Sequence, residues 1–123
     1  MKQHIVYQIT DSLTNKIYIG STTTTLDRFK KYWGSGNAIM AEYKKRGNKK
    51  DFSKKIIALC ESKAAKFELE YHLILKMNAT NTDVGYNLDG SPVKLMDLSP
   101  KDLLDFILTR ENLKLSDFNW YNK

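Results

Sequence analysis

The sequence is short of the residues on which several kinds of protein depend. Its single cysteine, Cys60, cannot form an internal disulfide, and with two histidines in 123 residues there is no Cys/His set at zinc-ligand spacing. No apolar run approaches the roughly 20 residues of a membrane span, and Met1 to Thr10 holds no apolar core of a secretory signal. A cytoplasmic protein is expected, with no membrane partner and with Cys60 as a reduced core thiol in an apolar, strand-like stretch. The chain also lacks a phosphate-cradling GxxxxGK(S/T) loop, a Ser-His-Asp ordering, a zinc finger and a clear helix-turn-helix.

What the chain does have is basic charge, unevenly placed. The formal charge is +6; residues 1–91 hold 15 Lys/Arg against 9 Asp/Glu, whereas residues 92–123 hold 5 of each. The densest run is Lys44, Lys45, Arg46, Lys49, Lys50, Lys54 and Lys55, with Asp51 among them. Such a run attracts a phosphate backbone by counterion release and carries no base code. In isolation it would read as a solvated face. The length predicts one domain with a modest core and an appended element.

Along the chain, Ile5 to Thr10 is β-branched and aromatic, Asp11 to Asn15 is turn chemistry, and Lys16 to Gly20 is β-rich again, which predicts an antiparallel hairpin. Thr22 to Thr25 offers N-caps for a helix from about Leu26 to Trp33, with Leu26, Phe29 and Trp33 as its apolar stripe. Arg28 and Tyr32, four apart, would share a face. Gly34-Ser35-Gly36 ends that helix, and Asn37 can cap a second, to about Arg46, with Gly47 after it and Ile39, Met40 and Tyr43 buried. Phe52 to Leu59 predicts a third strand covered on both faces. Ser62 caps a helix over Lys63 to Met77, with Phe67, Tyr71 and Ile74 as its stripe. Asp89-Gly90-Ser91-Pro92 is a strong turn signal and marks the expected end of the domain, 1–91. In residues 92–123, Ser99-Pro100-Lys101-Asp102 starts an apolar helix, so a helical tail packed on the domain or at a dimer interface is expected.

Glu70 is the residue this pattern marks for chemistry. Its helical neighbours are Phe67, Leu73 and Ile74, so its carboxylate leaves the helix between apolar side chains. An unpaired buried carboxylate is costly, and a bound cation or basic partner offsets that cost. A hard divalent ion held by one carboxylate, waters and substrate phosphate fits; a salt bridge to Lys66 or Lys76, or snorkelling to solvent, is the alternative. His4 and His72 do not join it as ligands, because His72 faces another way on the same helix.

Val6-Tyr7, then Tyr18-Ile19-Gly20, Arg28, Gly34-Ser35-Gly36, Glu70 and Gly85-Tyr86-Asn87 together resemble the GIY-YIG nuclease family over roughly residues 4 to 90, with Ile5 where the family usually has glycine. The resemblance implies an α+β fold: a small three-stranded antiparallel sheet flanked by helices, with the tail added. It also implies a phage or homing-type DNA endonuclease using Mg²⁺ or Mn²⁺, in the host cytoplasm if phage-encoded. By resemblance, Glu70 is the metal ligand, Arg28 contacts the scissile phosphate, and Tyr7 and Tyr18 position water and phosphate. Tyr32 stands where many members carry a histidine, and Asn87 ties its loop to the site. Beside these motifs the lysine-rich run becomes a DNA-binding surface. One site cuts one strand, so a double-strand break calls for a homodimer through the tail or two successive visits. The alternative is a weak or inactive member that only binds nucleic acid.

Overall fold

Alternation and turn chemistry place the first two strands, and a computed structural model, describing residues 1–88 together with Asn119–Trp120, lengthens both. β1 is Gln3–Asp11 and β2 is Ile17–Thr24, paired antiparallel with Tyr7 opposite Gly20 and Ile9 opposite Tyr18. Asp11 closes the turn by accepting from the Leu13 N–H at 3.0 Å and the Thr14 hydroxyl at 2.9 Å. β3, Phe52–Cys60, pairs antiparallel with the other side of β1 through a bulge that sets Val6 opposite Ala58 and Tyr7 opposite Ile56. These three strands form the expected antiparallel sheet in the order β2-β1-β3, and a two-residue β4, Asn119–Trp120, extends the free edge of β3.

Because strand side chains alternate, this sheet buries both faces. One face sets Ile5, Tyr7, Ile9 and Tyr18 against Phe29 of α1 (Leu26–Phe29) and Ile39 and Tyr43 of α2 (Asn37–Arg46). The other sets Val6, Ile17, Ile19 and Ala58 against Leu69 and Ile74 of α3 (Lys63–Lys76). Cys60 is buried on this second face, where burial pushes its thiol up to about 12.

Three helices form where expected, with differences that have physical causes. α1 is a single turn rather than a helix to Trp33. The N–H groups of Lys31 and Tyr32 turn back to the carbonyls of Arg28 and Phe29, three residues away, and the Lys54 ammonium binds the carbonyls of Phe29 and Tyr32. A lysine from β3 thus closes the helix that the stripe would continue, and Leu26 is left exposed. α2 ends at Gly47, left-handed at φ 77°, but Gly36 takes the cap position expected of Asn37, and Met40 is exposed. α3 starts at Ser62, whose hydroxyl accepts from the Ala65 N–H at 3.0 Å. It buries Lys66, Glu68, Leu69, Glu70 and Ile74, whereas Phe67 and Tyr71 are only half-buried.

Residues 84–87 run along the open edge of β2. The Ile17 N–H donates to Val84 at 3.1 Å, and the Tyr86 N–H donates to Ile17 at 2.8 Å. Gly85 permits this approach, since a Cβ there would lie 2.7 Å from the Ile17 carbonyl oxygen. An edge strand that would expose unpaired groups is covered in this way. The expected boundary at residue 91, the helical tail and the dimer surface on it fall outside the described residues.

Candidate active site

Register places Tyr7 and Tyr18 on one face of neighbouring strands, with ring centroids 6.3 Å apart. The Tyr7 ring passes over Gly20, where any Cβ would overlap its hydroxyl; at Gly36 a Cβ would come within 2.7 Å of the Tyr18 ring. Both glycines are therefore spaces that the tyrosines fill. Tyr32 stands edge-on to Tyr7, with centroids 6.0 Å apart, and shares a hydrogen bond with it. The Tyr18 oxygen takes hydrogen bonds from the backbone N–H groups of Ser35 and Gly36, so the Gly34-Ser35-Gly36 turn aims that hydroxyl. Burial and the charge of Glu70 push Tyr18 up to about 12; burial, then Tyr18 and Tyr32, raise Tyr7 further. Near neutral pH both therefore keep their hydroxyl protons.

Glu70 of α3, on the other face of the sheet, is 7% exposed, and its charge is felt by Tyr7 and Tyr18. Ser21, the residue after Gly20, donates its hydroxyl to Glu70 Oε1. Lys66, one turn before Glu70, is 5% exposed and donates to Thr23 Oγ1 at 2.8 Å. Burial lifts the Glu70 carboxyl to about 7 against the opposing pull of the Ser21 hydrogen bond and the Lys66 charge. Among the described residues no group of three His, Cys, Asp or Glu side chains gathers as a metal cage. A single buried carboxylate beside hydroxyls is nevertheless the donor set that suits a hard divalent cation completing its shell with water and phosphate oxygens. Glu70 fits that role, and Lys66 and Ser21 are neighbours rather than replacements.

Arg28 lies exposed at the end of α1, its backbone N–H bonded to the Thr25 hydroxyl at 3.2 Å; its guanidinium makes no ion pair among the described residues. Asn87 is buried and grips the Ile19 peptide with both ends of its amide: Oδ1 accepts from the Ile19 N–H at 2.9 Å and Nδ2 donates to the Ile19 carbonyl at 2.8 Å. It therefore fixes the stretch of β2 between Tyr18 and Gly20. The basic run divides. Lys44, Lys45, Lys49, Lys50 and Lys55 are exposed, but Arg46 makes a bidentate pair with buried Asp11 at 2.9 and 2.5 Å. Lys54 is held over the Phe29 and Trp33 rings at 4.2 and 4.5 Å. Those two cations are spent inside the fold.

Ser21, Thr23 and Asp11 escape a reading by motif alone. Ser21 carried one usable signal: alternation puts it on the same buried face as Ile17 and Ile19, where a polar side chain needs a partner.

A paired-tyrosine hairpin, an exposed helical arginine and a buried helical glutamate closed by an asparagine define the catalytic domain of one nuclease class. A family model of the GIY-YIG catalytic domain matches residues 3–87, and the chain belongs to the GIY-YIG family. Among curated proteins, "Putative endonuclease segD" of Enterobacteria phage T4 is 34% identical over 117 residues, covering 90% of this chain and 51% of the relative. The chain thus spans about half the length of that relative. Among solved structures, a point-mutant form of the catalytic domain of intron endonuclease I-TevI is 28% identical, with a TM-score of 0.57 over 73% of this chain and 96% of that domain.

Proposed function

We propose that this chain is a divalent-metal-dependent DNA endonuclease, of phage or mobile-element type, acting in the host cytoplasm. The observation that carries the reading is the buried Glu70 carboxylate, bonded to Ser21 of β2 and near enough to Tyr7 and Tyr18 for its charge to raise both. Nucleases of this family are generally metal-dependent, and Glu70 would hold Mg²⁺ or Mn²⁺, which supplies positive charge to the phosphate and the leaving oxygen. Water attacks phosphorus, one P–O ester bond breaks, and the products are a phosphomonoester and an alcohol. Arg28, free at the surface, donates its guanidinium fork to the non-bridging oxygens as charge builds there. Tyr7, steadied by Tyr32, and Tyr18, steadied by the Ser35 and Gly36 amides, orient the water and the phosphate. Asn87 holds β2 in place. Lys44, Lys45, Lys49, Lys50 and Lys55 attract the DNA backbone. A homodimer through residues 92–123 would give two cuts.

Supercoiled plasmid with Mg²⁺ or Mn²⁺ tests this. The wild type yields nicked or linear product, Glu70→Ala yields none, and Arg28→Ala is slowed by about 10²–10³-fold, the usual cost of one donor to a developing oxyanion. A second reading rests on Tyr32, which occupies the family's histidine place and spends its hydroxyl on Tyr7: a protein that binds DNA without cutting it. Plasmid left intact but retarded on a gel, equally by wild type and Glu70→Ala, would select that reading.

A further inference from the structure

Two polar links join α3 to β2, and their spacing is matched. Lys66 and Glu70 are four residues apart on the helix, about 6 Å along its axis. Thr23 and Ser21 are two residues apart on one face of the strand, about 6.6 Å. Lys66 meets Thr23 and Glu70 meets Ser21, so the helix runs antiparallel to the strand and the two links fix its register. The Thr23 hydroxyl, having accepted from Lys66, lies 2.9 Å from His4 Nδ1; burial, with Lys66 and Lys63 nearby, lowers the His4 pKa, so the neutral ring can accept from it. On Glu70 the contact is equally specific: Oε1 accepts from the Ser21 hydroxyl.

We propose that Ser21 is a positioning residue for the site: its hydroxyl holds Glu70 Oε1, and thereby presents Oε2 to a divalent cation. The proposal deepens the endonuclease reading and rests on Glu70 being the metal ligand. Ligating carboxylates are themselves hydrogen-bonded, and loss of such an outer partner weakens metal binding or activity by about 10–100-fold.

Mn²⁺ binding, followed by the electron paramagnetic resonance of free Mn²⁺ on the full chain with a short DNA duplex, tests it without a cleavage readout. Ser21→Ala weakens Mn²⁺ binding by about 10–100-fold. Ser21→Thr, which keeps a hydroxyl, restores most of it. Ser21→Cys, with its weak S–H donor, falls between. Urea midpoints of all variants confirm that each is folded. If Glu70→Ala abolishes Mn²⁺ binding while folded Ser21→Ala and Ser21→Cys bind as tightly as the wild type, the positioning role is overturned. If Glu70→Ala itself binds Mn²⁺ normally, the metal-ligand assignment fails instead.

Discussion

A carboxyl with a pKa of about 7 carries a pH signature. Unfolded, Glu70 ionises near its ordinary 4.5; folded, it keeps its proton to about 7. Between those values the native state binds more protons, so stability falls as pH rises through the window and levels off above it. The size is up to about 3 kcal/mol without metal. Urea unfolding in EDTA from pH 4.5 to 8 checks this: the wild type loses stability as pH rises, and Glu70→Gln lacks that component. If Glu70 holds a cation as proposed, added Mn²⁺ should offset the loss above pH 7, where the carboxylate is ionised. Glu70 was legible from sequence because apolar helical neighbours isolate a lone acid. Lys66 was visible only as a candidate counter-charge, since hydropathy assigns a lysine to solvent and cannot register that Thr23 receives it.

Asp11 ties elements together. Its carboxylate, fully buried at the end of β1, accepts from Arg46 of α2, from the Tyr86 hydroxyl at 2.6 Å in the closing segment, and from Thr14 and Leu13 in the turn. Burial alone would raise its pKa, but these donors more than reverse that and hold it well below the usual carboxylate range. A depressed acid contributes stability above its unfolded pKa and loses it as pH falls toward the folded value, so this contribution survives to below pH 4. Asp11→Ala should lower stability by at least about 1.5–3 kcal/mol, the value of a hydrogen bond to a charged group, read as a lower urea midpoint. The element pattern itself was largely legible: the hairpin, α2 with Gly47, the third strand and the Ser62 cap follow local rules. What failed was set by distant partners. The end of α1 depends on Lys54, 25 residues beyond Phe29, and the inward face of α3 depends on hydroxyls of β2.

At the scale of the described molecule, Glu70 and the α2 end of the basic segment meet the sheet at different levels, with Tyr18, opposite Ile9, and Lys55, opposite Gln8, between them. Glu70 meets β2 at Ser21, opposite Val6, whereas Arg46 and Asp51 bring the basic segment to Asp11 and Ser12. Five strand residues separate the levels of Val6 and Asp11, about 17 Å. On the proposed reading, Lys44, Lys45, Lys49 and Lys50 would hold phosphates at a distance from Glu70, whereas Lys55, opposite Gln8, stands nearer. Replacing Lys44, Lys45, Lys49 and Lys50 by Ala should weaken duplex binding to a similar extent on unrelated sequences and lower the salt slope by about 0.9 for each phosphate no longer neutralised. Fluorescence anisotropy across a salt series measures both. Composition located this excess of charge correctly within residues 1–91; it could not separate the lysines left in solvent from Arg46 and Lys54, because that division is made by Asp11 and by the carbonyls of Phe29 and Tyr32.

The grip of Asn87 on Ile19 spans 68 residues of sequence. During synthesis Ile19 emerges early and waits. Until Asn87 follows, the outward peptide groups of the strand that bears Tyr18 and Gly20 have only water for partners, and Tyr86 has yet to reach Asp11. The outer edge of β2 is thus completed only when the closing segment arrives, so the order of translation sets when that strand is locked.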